Sequence, residues 1–400
     1  MEMVLEFLRD VLSQPALLIG IMSCIGLIAL KRPFHKIMTG TLKPILGYLM
    51  LAAGAGVIVS NLDPLGKMIE HGFHITGVVP NNEAIVAVAQ KVLGVETMSI
   101  LVVGLLMNLC IARFTKFKYV FLTGHHSLFM ACLMSAVLGT AGLSGMELIL
   151  VGGFLMGAWS AISPAIGQSY TSKVTDGDEI AIGHFGSLGY YLSAWVAKYV
   201  GKAEDSTEDI EIPEKWGFLR DSTLSTALTM IVFYLIAAFA AGSEFVATLS
   251  GDMSPYLYAV MSAMNFAVGV TIVYSGVRMI LGDLIPAFQG IATKIIPNAI
   301  PAVDCAVFFT YAPTAVVLGF LSSFIGGIIG MLILGAVGGV LIIPGLVPHF
   351  FCGATAGIYG NATGGRRGAA VGAFLNGLAI TFLPALALPV LGQLGFQNTT

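Results

Sequence analysis

Two adjacent histidines, His125 and His126, stand inside the apolar run FLTGHHSLFM. An imidazole is costly to bury unless its nitrogens find partners, and in its neutral form it both donates and accepts hydrogen bonds. Successive residues of a helix point about 100° apart, so the two rings cannot face one cavity. We expect His125 to face a polar cavity and His126 to contribute less.

Asp304 and His184 are two further ionisable residues in apolar or glycine-rich sequence. Asp304 follows a proline-rich break in IPAVDCAVFF, where its carboxylate can cap the next helix or accept hydrogen bonds from the hydroxyls of a bound solute. His184 lies between Gly183 and Phe185. It can donate to a carbonyl in the core or come close to a ligand, because glycine adds no bulk beside it. These residue types predict a site for a polar, hydroxyl-bearing solute.

Several other kinds of chemistry are not indicated. The histidines lack the i,i+4 spacing of HExxH and the five cysteines form no CxxC, so no metal site is predicted. No P-loop, GxSxG or dinucleotide-binding motif is present, and we expect neither a cofactor nor an enzyme activity. The net charge of -3, with the few basic residues between apolar runs, indicates no nucleic-acid partner.

The elements that must position these residues follow from composition. The 400 residues are 56% hydrophobic and 10% charged, with a mean hydropathy of +0.89. A soluble domain has about 25% charged residues, so this chain lacks the charge to cover a water-exposed surface. We predict an all-α polytopic membrane protein embedded in the lipid bilayer, with about ten spans of about 20 apolar residues. The spans cover residues 14–31, 43–62, 98–114, 119–139, 146–168, 223–247, 256–281, 302–322, 324–343 and 368–393.

Basic residues are unevenly distributed among the predicted connections. They follow the first, third, fifth and seventh spans, for example at Lys31, Arg113, Lys173 and Arg278, and are rare in the other connections. Lys and Arg are enriched in cytoplasmic loops. The distribution predicts a multi-pass protein whose N-terminus is outside the cell, with the acidic segment 202–221 in the cytoplasm.

Three stretches, 183–200, 281–304 and 348–365, are too polar for lipid-facing spans and too apolar for free loops. Irregular backbone at membrane depth is tolerated only where protein or a wet cavity covers it. We interpret the stretches as interfacial helices and re-entrant hairpins, with two hairpins in the fold. The first and third share an apolar–Gly–x–aromatic–Gly pattern, and TKFKYVFLTGHH and TKIIPNAIPAVD both place a polar site before an apolar run. These similarities predict two inverted repeats with a site near the midplane.

Long blocks of the sequence resemble one family of membrane proteins. They include TGHHSLF, QSYTSKVTDGDEIAIGHFGS, GVRMILGDLIPAFQGIATKIIPNAIPAVDCAVFFTYAPTAVVLGF and LIIPGLVPHFF. Over nearly the whole chain they are similar to the ascorbate-type enzyme IIC, the membrane transport subunit of the bacterial phosphoenolpyruvate-dependent phosphotransferase system. The resemblance implies an inner-membrane homodimer with a substrate-binding core domain and a V-motif dimerisation domain in each protomer. We expect the V-motif in residues 1–65 and 201–282, the latter including the acidic cytoplasmic loop, and the two core repeats in 66–200 and 283–400.

The resemblance also implies partners and site residues. Enzyme IIB, which receives its phosphate through enzyme IIA, would phosphorylate the substrate at the inner face, so this chain would hold no phosphoryl group. The family's ligand-contacting positions correspond here to His125, His184 and Asp304, the three residues selected above on physical grounds.

Other positions of the site differ from the ascorbate transporters of the family. Those carry Thr-Tyr where this chain has Asn82 and Glu83, and Gln where it has Phe129 and Phe185. A site built to hydrogen-bond hydroxyls discriminates strongly, so exchanging polar groups for rings predicts a changed ligand. The predicted substrate-binding residues are His125, His184, Asp304, Asn82, Glu83, Phe129, Phe185 and Tyr311.

The sequence thus predicts a transport subunit for L-ascorbate or a related sugar or sugar acid, which is trapped inside by phosphorylation on IIB. The main alternative is an ion-coupled secondary transporter for an organic acid, with Asp304 as the proton site. An intramembrane enzyme is less favoured because no nucleophile or metal constellation is present. A passive channel would transport without IIB and without saturable binding.

Overall fold

The structure is a computed structural model that describes residues 14–74, 82–210 and 222–393, together with Phe7, Asp10 and Val11. Some side chains within these ranges lie outside the description, among them those of residues 82–92 and of His125.

Helices make up most of the described chain. They are α1 Pro15–Ala29, α2 Phe34–Gly72, α3 Asn82–Phe114, α4 Gly124–Thr140, α5 Gly145–Thr175, α6 Ser187–Val200, α7 Ser222–Ala241, α8 Ser243–Ser250, α9 Pro255–Lys294, α10 Pro313–Ala336 and α11 Ala354–Gln393. A 3₁₀ turn, Cys305–Thr310, precedes α10, and a π turn, His349–Gly353, precedes α11. The helix α11 is interrupted at Gly365, whose φ of 60° is open to glycine at little steric cost.

Six helices of the described residues are long and apolar enough to cross a membrane, or seven if a bent pair is one span. The bent pair is Thr226–Ala241 with Ser243–Ser250, at an angle of 117°. Two shorter apolar helices, Ala16–Ala29 and His126–Thr140, add to these. The prediction of a helical, polytopic membrane fold is therefore supported, whereas the count of about ten spans is not confirmed.

Two sequence predictions about helix boundaries are wrong. Spans were predicted at 302–322 and 324–343, but the described chain has one helix there, α10, because residues 300–310 form a strand and a 3₁₀ turn. Residues 281–294 belong to a stretch that was interpreted, with two others, as interfacial helices and re-entrant hairpins, and they instead continue α9 through Pro286 to Lys294. Hydropathy alone could not locate the ends of the helices, because the apolar runs here are nearly continuous.

A small parallel β-sheet of nine residues adds to the predicted all-α fold, which the predominance of helix supports. Its strands are β1 Tyr119–Phe121, β2 Ala181–Ile182 and β3 Ile300–Val303, in the order β1-β3-β2. Phe121 pairs with Ala302 and Ile182 with Val303. The ladder continues beyond the strands, since Leu122 donates to Ala302 at 2.9 Å and Gly183 donates to Val303 at 2.7 Å. These bonds satisfy the irregular backbone, which membrane depth requires.

The helices pack in two groups with few contacts between them. The first, called here the scaffold group, is α1, α2, α7, α8 and α9, and the second, the site group, is α3, α4, α5, α6, α10 and α11 with the sheet. In the scaffold group α2 and α9 approach at glycines: a Cβ on Gly54 would lie 2.7 Å from the Gly269 carbonyl oxygen, and one on Gly47 2.9 Å from that of Gly276. Small residues allow such close backbone contact between membrane helices.

Candidate functional site

The ends of the three strands bring distant parts of the sequence together. His126 lies in the first turn of α4 after β1, His184 is the second residue after β2, and Asp304 directly follows β3. The strands are parallel, so their carboxyl ends meet at one edge of the sheet, the edge where open α/β sheets bind ligands. The sheet therefore explains why residues 58 to 178 positions apart in sequence share one site.

The three polar side chains are close and almost buried. One nitrogen from each imidazole and one oxygen of Asp304 all lie within 4.8 Å of one another. His126 Nε2 is 3.8 Å from Asp304 Oδ1, and the rings of His126 and His184 have centroids 4.0 Å apart. Asp304 also caps the 3₁₀ turn, since its Oδ1 accepts the Cys305 N–H at 2.6 Å. The carboxylate thus caps the turn, as one of its two predicted roles requires, while its binding of a solute's hydroxyls stays a prediction.

Among the described side chains, His126 is the member of the histidine pair that lies in this cluster, whereas the sequence favoured His125. The sequence predicted that one histidine of the pair would face a cavity, but the choice between them depends on the rotational phase of α4, which begins at Gly124. The side chain of His125 lies outside the described part, so its predicted role stays a prediction. His126 is the residue that we assign to the pocket.

Hydrogen bonds define the protonation of His184. Its Nδ1 accepts the Gly186 N–H at 2.8 Å, and the Tyr190 hydroxyl lies 2.9 Å from the same nitrogen. Nδ1 therefore carries no proton, and the neutral ring has its proton on Nε2. Two histidines and a carboxylate could in principle hold a metal ion, but a protonated Nε2 has no lone pair to give, which favours hydrogen bonding to a solute.

A small pocket, which we call the strand-end pocket, opens beside the two histidines and has about 220 Å³ of empty space. Much of this space is open to the outside, and the cavity itself has a volume of only about 10 Å³. Small-molecule sites usually have roughly 300–1,000 Å³, so a whole sugar enters only when lining side chains move. The pocket is lined by the two histidines, the hydroxyls of Ser127 and Ser160, and the apolar side chains of Phe121, Met130, Trp159 and Phe185.

Some of these lining residues were predicted and some were missed. Phe185 and Phe129 both meet the His126 ring edge to face, with centroids 5.5 and 5.9 Å away, and Phe185 lines the pocket. The sequence analysis missed Trp159 and Ser160, which lie on α5. Their only signal was a large aromatic residue and a hydroxyl side by side in an otherwise small-residue run, GAWSAIS.

Tyr311 lines a different cavity, which we call the Glu208 cleft. The cleft has about 550 Å³ of empty space and is lined by Lys173, Ser206, Glu208, Tyr311, Asn361 and several small residues. Burial raises the pKa of Tyr311 above its usual value, and the Glu179 carboxylate adds to the effect, so its hydroxyl stays a donor. Asn82 and Glu83 lie at the start of α3, where side chains are outside the described part.

The acidic segment closes one side of this cleft. Glu208 accepts hydrogen bonds from the Thr314 and Ala315 N–H groups at the start of α10, at 3.1 Å each. Thr207 donates its N–H to Asn361 at 2.8 Å, and the Arg366 N–H donates to the Asp205 carbonyl at 2.8 Å. A carboxylate at a helix N-terminus satisfies otherwise unpaired amides. The segment is thereby attached to α10 and α11.

A series of aromatic rings connects the strand-end pocket with the Glu208 cleft. His184 neighbours Tyr190, Tyr190 neighbours Tyr359, and Phe308 lies between Tyr359 and Tyr311, with centroid distances of 5.5 to 6.2 Å. The two cavities are thus neighbours within the site group.

The several long apolar helices of the described chain are consistent with a membrane protein. Residues 10–400 match the family model of the PTS system sugar-specific permease component, and the chain belongs to this family. Such components are transport subunits and not catalysts.

Among characterised proteins, the chain is similar to the "Ascorbate-specific PTS system EIIC component" of Mycoplasma pneumoniae (strain ATCC 29342 / M129 / Subtype 1). The two are 28% identical over 417 residues, which covers 89% of this chain and 62% of the relative. The chain therefore spans somewhat less than two thirds of the relative's length.

Proposed function

We propose that this chain is the IIC subunit that carries L-ascorbate or a related sugar or sugar acid across the bacterial inner membrane. The observation that carries the proposal is the meeting of His126, His184 and Asp304 within 4.8 Å at the ends of three parallel strands. Ionisable groups are rare inside membrane proteins and mark substrate pathways. Imidazole and carboxylate groups bind hydroxyls, and the aromatic wall contacts apolar faces.

The two helix groups support an assignment to two domains with different roles, dimerisation and substrate binding. We assign the scaffold group to the V-motif, with residues 1–65 and 201–282, and the site group to the two inverted core repeats, 66–200 and 283–400. Helices α1 and α2 expose large apolar side chains, such as Ile21, Ile25 and Leu46. Exposed apolar surface of this kind suits lipid and a second copy of the chain, in keeping with a homodimer.

Phosphorylation supplies the direction of transport. With the N-terminus outside, Lys173 and the acidic segment lie on the cytoplasmic side, so the Glu208 cleft faces the partner enzyme IIB. A solute released from the strand-end pocket reaches this side, and IIB, supplied by enzyme IIA, transfers a phosphoryl group to it. The charged product no longer fits a site that holds a carboxylate, so it stays inside without any coupling ion.

Reconstituted vesicles test this function. Phosphoenolpyruvate with enzyme I, the carrier protein HPr, IIA and IIB on the inner side should drive uptake, and the solute should emerge phosphorylated. Omission of IIB alone is the matched control and should remove uptake. Uptake that continues unchanged without IIB would contradict the assignment.

An ion-coupled transporter for an organic acid remains the second candidate, because the buried His126–Asp304 pair, at 3.8 Å, could carry a proton. This candidate predicts that a protonophore abolishes uptake even with IIB and phosphoenolpyruvate present. The phosphotransferase assignment predicts that uptake under those conditions persists.

A further inference from the structure

The hydroxyl of Tyr190, on α6, lies beside Nδ1 of His184. The oxygen is 2.9 Å from this nitrogen, and the two ring centroids are 5.5 Å apart. The Gly186 N–H donates to the same nitrogen at 2.8 Å. Because Nδ1 accepts, the Tyr190 O–H is the donor of its bond. The hydrogen bonds at one ring nitrogen determine where a neutral imidazole carries its proton, so these two bonds make Nε2 of His184 the donor.

Tyr190 has little freedom to move. The residue is 0% exposed, and a buried tyrosine hydroxyl usually has a hydrogen-bond partner. Its ring packs against Tyr359 of α11 at a centroid distance of 5.9 Å, and its hydroxyl also lies next to the Cys352 thiol of the π turn. Donation to His184 leaves the hydroxyl oxygen to accept from that thiol. The hydroxyl is therefore held between three separate parts of the site group.

The backbone at Gly186 leaves no room beside this hydrogen bond. A Cβ on Gly186 would lie 3.0 Å from the Tyr190 hydroxyl oxygen and 3.2 Å from His184 Nδ1. Both distances are shorter than ordinary van der Waals contact, so a side chain here would press on both atoms. The absence of a side chain allows the hydroxyl and the imidazole to approach each other.

The neighbouring tyrosine, Tyr191, makes a comparable bond without a histidine. It is 5% exposed, and its hydroxyl donates to the Ser163 carbonyl at 2.9 Å. Removal of either tyrosine hydroxyl loses one buried hydrogen bond, but the bond of Tyr190 is to a ring that lines the strand-end pocket. A comparison of the two tyrosines therefore separates an effect on His184 from an effect on packing.

We propose that Tyr190 is a positioning residue for substrate binding, whose hydroxyl holds the His184 ring in the tautomer and orientation that offer Nε2–H to the solute. The inference rests on the proposed function of the strand-end pocket as the substrate site. It extends that site to a residue behind the pocket lining, which acts through His184. Groups of this kind keep the side chains that contact a ligand in their binding geometry.

Nitrogen NMR of isotope-labelled histidine rings tests the positioning on the full-length, ligand-free protein in lipid nanodiscs at neutral pH. The His184 signals are those that disappear in His184→Gln. In the parent, Nδ1 should give the signal of an unprotonated nitrogen and Nε2 that of a protonated one. Tyr190→Phe should shift these signals or add those of the second tautomer, whereas Tyr191→Phe should leave them as in the parent. A protonated Nδ1 in the parent, unchanged signals in Tyr190→Phe, or an equal change in Tyr191→Phe would overturn the proposal.

Calorimetry with L-ascorbate as the probe tests the consequence for binding. Tyr190→Phe should weaken the affinity by about three- to tenfold, the range expected for one buried hydrogen bond, and Tyr191→Phe should stay within about twofold of the parent. Equal affinities of the parent and Tyr190→Phe, or equal losses in the two variants, would contradict the positioning role.

A second pair of variants covers the case in which Tyr190→Phe does not fold, as judged by its melting temperature. Gly186→Ala presses on the Tyr190 hydroxyl and on His184 Nδ1, so it should change the His184 signals and weaken binding. Gly177→Ala is its control, since a Cβ there meets nothing within 4 Å. Parent-like His184 signals in Gly186→Ala would count against the proposal.

The outcomes separate this inference from the proposed function. Uptake that continues without IIB, or a parent that does not bind L-ascorbate, counts against the proposed function or its substrate, and the NMR comparison of the two tyrosine variants then decides the role of Tyr190. Parent-like affinity in a Tyr190→Phe protein with altered His184 signals overturns the positioning role in binding and leaves the proposed function intact.

Discussion

The scaffold group and the site group meet the demands of the membrane in different ways. In the scaffold group, α2 and α9 come together backbone to backbone at pairs of glycines such as Gly54 and Gly269. In the site group, short strands and turns replace helix, and polar side chains gather at the strand ends. We therefore expect that a larger side chain at the glycine contacts lowers the stability of the scaffold group, whereas loss of a polar side chain from the cluster weakens ligand binding.

The largest effect is expected at the polar cluster. Asp304→Asn and His126→Ala each remove a polar group from the cluster that we propose holds the solute, so ligand affinity should fall by about 100-fold, the equivalent of about 2.8 kcal/mol. Calorimetry on purified protein measures this. The control is His35→Ala, at an exposed histidine of α2, which should bind as the parent does. Parent-like affinity in both Asp304→Asn and His126→Ala would contradict the site assignment, and His125→Ala in the same assay tests the predicted role of His125.

The next largest effect is expected at the glycine contact of the scaffold group. Two glycines of α2 provide a test position and its control. A Cβ on Gly54 would lie 2.7 Å from the Gly269 carbonyl, whereas a Cβ on Gly56 meets nothing within 4 Å. Gly54→Ala should lower stability by about 1–3 kcal/mol, and Gly56→Ala should leave it unchanged or raise it, since Ala favours helix. Thermal melting in detergent compares them. Equal melting temperatures would mean that α2 and α9 do not depend on this contact.

A smaller effect on both ligand affinity and stability is expected at Gly183, because this glycine makes a close backbone contact within the site group. A Cβ there would lie 2.8 Å from the Ala302 carbonyl oxygen, so Gly183→Ala should push β2 from β3 and shift His184. We expect ligand affinity to fall by about tenfold, the equivalent of about 1.4 kcal/mol. Gly177→Ala is the control, because nothing lies within 4 Å of that position. Normal binding in Gly183→Ala would show that the sheet does not position the site.

The smallest effect is expected at the Glu208 cleft. Glu208→Ala removes the acceptor for the Thr314 and Ala315 amides, and loss of a helix cap costs about 1 kcal/mol. Glu208→Gln should lose less, because an amide oxygen still accepts. Thermal melting checks the order, with Glu204→Gln, at an exposed carboxylate of the same segment, as the control. Equal melting temperatures for Glu204→Gln and Glu208→Ala would show that the segment is not held by this contact.

The sequence by itself determined the class of the protein and drew attention to the residues that the structure brings together in the cluster. High hydropathy with little charge requires a membrane environment, because too few polar groups are present to cover a soluble surface. The same scarcity made the few ionisable residues conspicuous, so His184, Asp304 and the histidine pair were found before the fold was known. The family, too, could be recognised from its long motifs, and the match over residues 10–400 confirms it.

Only the tertiary structure decided which of these residues meet. The meeting of His126 with His184 and Asp304 depends on the pairing of β1 and β2 with β3, which sets the ends of the three strands side by side. Tyr311 was expected in the strand-end pocket but lines the Glu208 cleft. Trp159, which was not predicted, lines the strand-end pocket from α5. Strands of two to four residues leave too short a pattern to read in apolar sequence. Hydropathy reports how much of a segment is buried, whereas side-chain direction and strand pairing arise from contacts between segments far apart in the chain.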